Sequence, residues 1–204
     1  MTLLNWQRCI EQIVLANQQE KILGLTSARR GAGVSQISRL TAMTIATTGA
    51  KTLLVNMSEP GSLVVRYDNT SPMAKDLREH IVSTEHGYDL LAGRHDVVRL
   101  AFARLPRLRE MLLNEFTDYK HVVIDLPPIL EALGGGFNTI TAAAICDRLL
   151  LVCALGRERR SEVVGVVSLL RSSGIALSGV VSNEHSRPNP RKQRAQENAQ
   201  RMRR

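Results

Sequence analysis

Ten residues, Ser27-Ala28-Arg29-Arg30-Gly31-Ala32-Gly33-Val34-Ser35-Gln36, follow a short apolar run and precede a helical pattern. A glycine-bearing turn in that position aims backbone N–H groups and a helix dipole at one point, which suits phosphate. The usual phosphate loop ends in Gly-Lys-Ser/Thr. Its lysine is a point charge on the β- and γ-phosphates, and its hydroxyl holds Mg²⁺. Here Gly33 and Ser35 are in place, but the lysine position holds Val34. Valine brings neither charge nor donor. Arg29 and Arg30 are the nearest substitutes, because a guanidinium binds phosphate well. A tight turn without a ligand is the plain alternative.

Two further strand ends carry polar residues. His121-Val122-Val123-Ile124-Asp125-Leu126-Pro127-Pro128 leads a buried run into an acid, and the proline pair fixes an extended exit. An acid so placed stands beside Mg²⁺ through water. Its plain alternative is a strand-end aspartate capping a turn. Thr52–Ser58 ends in Asn56 and Ser58, which hydrogen-bond but are very poor bases at neutral pH. They read as ordinary strand-end residues.

Elements to position these residues are visible in the hydropathy pattern. Five apolar runs (21–26, 52–56, 121–125, 149–154 and 176–182) are each predicted to be a strand buried on both faces. Helical patterns cover 3–19, 34–48, 106–118 and 158–173, the last with Val163, Val167 and Leu170 together. The alternation predicts an α/β fold, a doubly wound and mostly parallel sheet with helices on both faces. Ligands in such sheets sit where strands end and helices begin. Residues 58–105 are the least regular and are predicted to hold loops and short helices.

Composition narrows the class. At 204 residues, the chain suffices for one domain with a sizeable core. No run approaches the ~20 apolar residues of a membrane span, and MTLLNWQRCIEQ lacks the unbroken apolar core of a signal peptide. A cytoplasmic protein is expected. Cys9, Cys146 and Cys153 form no CxxC, and the five histidines show no ligand spacing, so no structural metal or disulfide framework is expected. Cys146 and Cys153 read as small hydrophobes, Trp6 as an anchor of the first helix, and Gly134–Gly136 as a connector or switch-like loop. The net charge of +8 is uneven: residues 187–204 carry +6, and the rest carries +2. That tail has two prolines and no aromatic residue, and is predicted to be a disordered basic end. It would suit an anionic membrane face, an acidic protein surface or nucleic acid, or serve solubility alone. The predicted organisation is a helix over 1–20, an α/β domain over 21–186 and the tail over 187–204.

In chain order, the three strand ends resemble the ParA/MinD-type P-loop ATPase superfamily. More narrowly, the chain is similar to the cytoplasmic domain of bacterial tyrosine kinases (BY-kinases), regulators of polysaccharide chain length. KILGLTSARRGAGVSQ, GYDLLAGRHDVV, FTDYKHVVIDLPPIL and CDRLLLVCALGRERRSEVVGVVSLLRSSGIALSGVVSN carry the resemblance, from residue 21 to 183. GYDLLAG points to the BY-kinase branch. The resemblance implies an ATP or ADP site with Mg²⁺, spanning Arg29, Arg30, Gly31, Ala32, Gly33, Val34, Ser35 and Gln36. It makes Ser35 the magnesium hydroxyl, Asp125 the Walker B acid and Asn183 a neighbour of the adenine. It places Arg29 near a second lysine that ParA-type members extend across a dimer.

The departures all remove chemistry. The Walker A lysine is Val34, and the Walker A′ acids are Asn56 and Ser58. The tyrosine-rich tail, which is the autophosphorylation substrate, is replaced by an arginine-rich one, and the ring-forming Glu-x-x-Arg-type motif is not recognisable in Leu3–Glu20. Losing one electrostatic group of such a site commonly costs about 10²–10³ in rate. The expectation is a BY-kinase-like pseudo-enzyme, a regulatory or scaffold part of an exopolysaccharide, capsule or cellulose machine. Its expected partners are proteins of that machine, a membrane protein among them, or a second copy of itself, at the inner face of the plasma membrane. Two alternatives stand beside it: an active ATPase that uses Arg29 or Arg30 for the lysine, and a ParA-like positioning protein that binds DNA or membrane through its tail.

Overall fold

The computed structural model describes residues 3–16, 20–58, 77–92, 105–132 and 139–184. The basic tail, Gly134–Gly136 and the side chains of Trp6 and Cys9 lie outside the described residues. Seven strands form one sheet: β1 (Ile22–Ser27), β2 (Thr52–Asn56), β3 (Ile81–Ser83), β4 (Asp89–Ala92), β5 (His121–Asp125), β6 (Arg148–Leu155) and β7 (Leu177–Glu184). Their order is β3-β4-β2-β5-β1-β6-β7, and only the β3–β4 pair is antiparallel. The described helices are α1 (Leu3–Ala16), α2 (Val34–Ala46), α3 (Leu105–Asn114), α4 (Ile129–Ala132), α5 (Thr139–Ala143) and α6 (Arg160–Ser172).

Strand side chains alternate between two apolar layers, as a period of two requires. Ile22, Leu53, Val55, Val122, Ile124, Leu149 and Leu151 face one layer with α3 and α6. Leu23, Leu25, Leu54, Val123, Leu150 and Val152 face the other with α1 and α2. Ile10, Ile13 and Val14 of α1 join Val34, Ile37, Ala42 and Ile45 of α2 there, so the first helix packs as part of the α/β domain. No described helix is long and apolar enough to cross a membrane.

Three expectations are corrected. Strands β3 and β4 occupy residues expected to be loops and short helices, and GYDLLAG supplies β4, which pairs with β2. A three-residue and a four-residue strand are too short to show a period. Strand β7 is not buried on both faces. Its residues alternate and Val180 is 55% exposed, because it pairs only with β6 among the described strands. On α6, Leu170 is buried and Val163 packs against the core as predicted, but Val167 is 37% exposed and Val166 is buried in its stead. Cys146 and Cys153 are free thiols packed in or against the core, and burial raises both pKa values, to about 12 and about 11.

Two positions make the packing testable. A Cβ on Gly24 of β1 would lie 2.5 Å from Cys146 Sγ, so the strand approaches the α5–β6 turn closely only because it has a glycine there. Gly24→Ala is expected to cost about 1–3 kcal/mol in urea unfolding. Adding Cys146→Ala should return most of that loss, and an additive double variant would show that the contact is not the cause. His121 is buried, with Nδ1 3.1 Å from the Glu20 carbonyl, and burial lowers its pKa. The unfolded imidazole takes up its proton through about pH 6.5, before the folded one does. Stability is therefore expected to fall as pH drops from 7 towards 5, and His121→Gln should flatten that slope.

Candidate functional site

Strand β1 lies between β5 and β6, and the chain leaves its C-terminal end into the glycine turn. Gly31 has φ 85° and Gly33 φ 91°, the left-handed region that residues with a Cβ rarely adopt. Helix α2 starts at Val34. Its first intrahelical bond is Ile37 N–H to the Gly33 carbonyl at 3.0 Å, and Gly33 gives no side-chain cap. The amides of Val34, Ser35 and Gln36 therefore stand ahead of the hydrogen-bonded helix, at its positive end. The carbonyls of the turn are tied on the other side. Ala28 C=O accepts Leu130 N–H at 3.2 Å, Arg29 C=O accepts Ser27 Oγ–H at 2.8 Å, and Ala32 C=O accepts Asn183 Nδ2–H at 2.7 Å. Asn183, buried at the end of β7, thus fastens the loop that it was expected to flank at the adenine.

Val34 is 9% exposed and belongs to the apolar layer of Ile37, Leu25 and Val152, so the side chain at the lysine position points into the core. The neighbouring polar residues are linked. Ser35 Oγ lies 3.2 Å from Ser58 Oγ, which lies 2.9 Å from Asp125 Oδ2 and 2.8 Å from Asn56 Oδ1. The Ser58 amide also donates to Asn56 Oδ1 at 3.0 Å. A hydroxyl has one proton to give, so Ser58 donates either to Asp125 Oδ2 or to Asn56 Oδ1, and Asp125 is 2% exposed. Ser35 can then donate to Ser58. The structure brings together Ser35 and Asp125, the two residues expected at magnesium, with Ser58 as the bridge. No group of three or more His, Cys, Asp or Glu that could hold a metal occurs among the described residues. The site fits an anion cradle and the hydroxyl-plus-acid part of a magnesium site. Its cationic part is absent from position 34.

Arg29 and Arg30 are already paired. Arg29 Nε donates to Glu162 Oε1 at 3.0 Å, and Arg30 Nε donates to Glu131 Oε2 at 2.7 Å; their side chains are 55% and 60% exposed. Glu131 also accepts the Arg30 amide at 2.8 Å. Glu158 Oε2 accepts the Ala154 amide at 3.2 Å, and burial raises its carboxyl pKa. A Cβ on Gly31 would lie 3.5 Å from Arg157 Nη1, which sets a third guanidinium over the loop. Sequence reasoning missed Glu131, Glu158, Glu162 and Arg157. The one available signal was GRERRSE, a charged turn opening the last helix.

No family model matches the chain. It is 25% identical over 185 residues to tyrosine-protein kinase CpsD of Streptococcus agalactiae, covering 84% of this chain and 79% of that protein. It is 26% identical to the putative tyrosine-protein kinase EpsB of Ralstonia nicotianae, covering 84% of this chain but 24% of that longer protein. Among solved structures, the VpsO kinase domain superimposes with TM-score 0.68 at 23% identity, covering 90% and 96% of the two chains. The kinase domain of Escherichia coli tyrosine kinase ETK gives TM-score 0.67 at 21% identity, covering 85% and 72%. The same fold extends to MinD in the Aquifex aeolicus MinC:MinD complex, TM-score 0.58 at 18% identity, covering 80% and 68%.

The Asn183 clamp gives this site its own test. Asn183→Ala removes a buried donor from the Ala32 carbonyl, and is expected to cost about 1–3 kcal/mol in urea unfolding. Asn183→Asp should cost more, because it turns a carboxylate oxygen towards that carbonyl. A neutral outcome for both would remove the clamp from the description of the loop.

Proposed function

Since its relatives are bacterial tyrosine-protein kinases, we propose that this chain is a kinase-like domain that binds nucleotide phosphate but has lost efficient phosphoryl transfer. It serves as a regulatory or scaffold component of an exopolysaccharide, capsule or cellulose assembly machine. The observation that carries this reading is the buried Val34 at the lysine position, set beside a strand end whose acids are the neutral Asn56 and Ser58.

When bound, ATP with Mg²⁺ would supply the transferable phosphoryl group, held at the Val34–Gln36 amides with Ser35 and Asp125 towards the metal. Phosphoryl transfer depends on positioning and on neutralising charge. The cradle supports positioning. Neutralisation is weakened because no ammonium rises from position 34, and no carboxylate at 56 or 58 is available to take a proton or orient a water. Among the described residues, Tyr88 and Tyr119 are the tyrosines, and both are buried away from an incoming phosphoryl group.

The paired state of Arg29 and Arg30 weighs against their use as the substitute lysine. The match to about a quarter of EpsB supports a role as one working part beside others. In that role the domain would contact a membrane-embedded partner at the inner face of the plasma membrane.

Calorimetric titration with ATP and Mg²⁺, together with phosphate-release and tyrosine-phosphorylation assays run beside CpsD, tests the proposal. Binding with turnover at least about 10²-fold below CpsD is expected, from the lost electrostatic groups. Turnover equal to that of CpsD would end the reading. The combined variant Val34→Lys, Asn56→Asp and Ser58→Asp is expected to raise phosphate release above the parent chain.

A further inference from the structure

Three arginines surround the phosphate loop, and they differ in what holds them. Arg29 is neutralised by Glu162 and Arg30 by Glu131. Arg157 is exposed and its guanidinium has no hydrogen-bond or ion-pair partner among the described residues. It sits on the turn between β6 and α6, with Nη1 3.5 Å from the point where a Gly31 Cβ would stand. That turn is firmly tied. The amides of Arg157 and Glu158 both donate to the Ala154 carbonyl at 3.2 Å, and Glu158 Oε2 accepts the Ala154 amide at 3.2 Å. Gly156, at φ 76°, supplies the reversal. Glu158 is thereby engaged with backbone and leaves the Arg157 guanidinium unpaired. The missing side chain at Gly31 leaves the guanidinium room against the loop backbone.

We propose that Arg157 is the cation that meets the phosphates of a bound nucleotide, reaching over Gly31 from the β6–α6 turn in place of the lysine absent at position 34. This rests on the reading of the loop as a nucleotide cradle. A lysine at position 34 would come from the base of the loop. Arg157 comes from its outer side, with a planar fork suited to two phosphate oxygens at once. Arg157 thus supplies a cation for holding the phosphates, without an ammonium inside the apolar layer around Val34 and without the groups at 56 and 58 that transfer needs.

The test is calorimetric titration of the full chain with ATP, ADP and adenosine, for the parent and for Arg157→Ala, Arg157→Lys and Arg171→Ala. Arg171, exposed in the last turn of α6, controls for net charge. Arg157→Ala is expected to weaken ATP and ADP by roughly tenfold to a hundredfold, with adenosine unchanged. Arg157→Lys should recover part of the loss, and Arg171→Ala should bind like the parent. Thermal midpoints should stay together, because the Arg157 side chain makes no hydrogen bond or ion pair among the described residues. Parent-like ATP affinity in Arg157→Ala, or equal losses for ATP and adenosine, overturns the proposal. A parent chain that binds none of the three defeats the cradle reading itself, and this inference with it.

Discussion

Strand β1 is hydrogen-bonded on both sides, to β5 and β6, and lies beneath apolar layers on both faces, so all six of its residues are buried. A strand so enclosed must hand its chain to solvent within a few residues. It does so through Ala28, which is fully buried, and a turn whose left-handed glycines allow the sharp entry into α2. The shape of the turn is therefore set by the packing of the sheet. The fold asks of residue 34 only that it fill the layer beneath, which valine does better than lysine. The geometry of the turn therefore does not depend on the charge of the side chain at position 34.

The polar residues at the site are electrostatically coherent. Acids at 56 and 58 would stand beside a buried Asp125, and without a cation at 34 their repulsion and desolvation would be uncompensated. With the neutral Asn56 and Ser58 that repulsion does not arise, and the Ser58 hydroxyl can donate to Asp125 Oδ2. The cations that remain lie on the outer side of the loop. There, Glu131 and Glu162 decide which of them are engaged.

Much of this was legible in the residues. The five predicted strands and the main helices exist because each carries a buried run or a long period of three to four. Ser35 and Asp125 could each be picked out as candidate magnesium residues, but the Ser58 hydroxyl that links them in one network could not. Strands β3 and β4 escaped because a few residues carry no periodicity, and the pairing of β4 with β2 is a long-range fact. The exposure of β7 was misjudged because Val180 and Val181 look alike in sequence, while an edge strand buries only alternate residues. GRERRSE marks a charged turn, but which arginine each glutamate around the loop would hold could not be read from it. Glu131 lies 101 residues from Arg30, and Glu162 lies 133 from Arg29, so only the fold makes them partners.

The exit of β5 is fastened along the length of the loop. Thr26 Oγ1 donates to the Pro127 carbonyl at 2.8 Å, Leu130 N–H reaches Ala28, and Glu131 grips both the amide and the guanidinium of Arg30. The two chain segments consequently form one stiff body. Their ordering entropy is spent when the protein folds, so the turn is assembled in advance, and any ligand it took would forfeit little binding free energy to immobilising it.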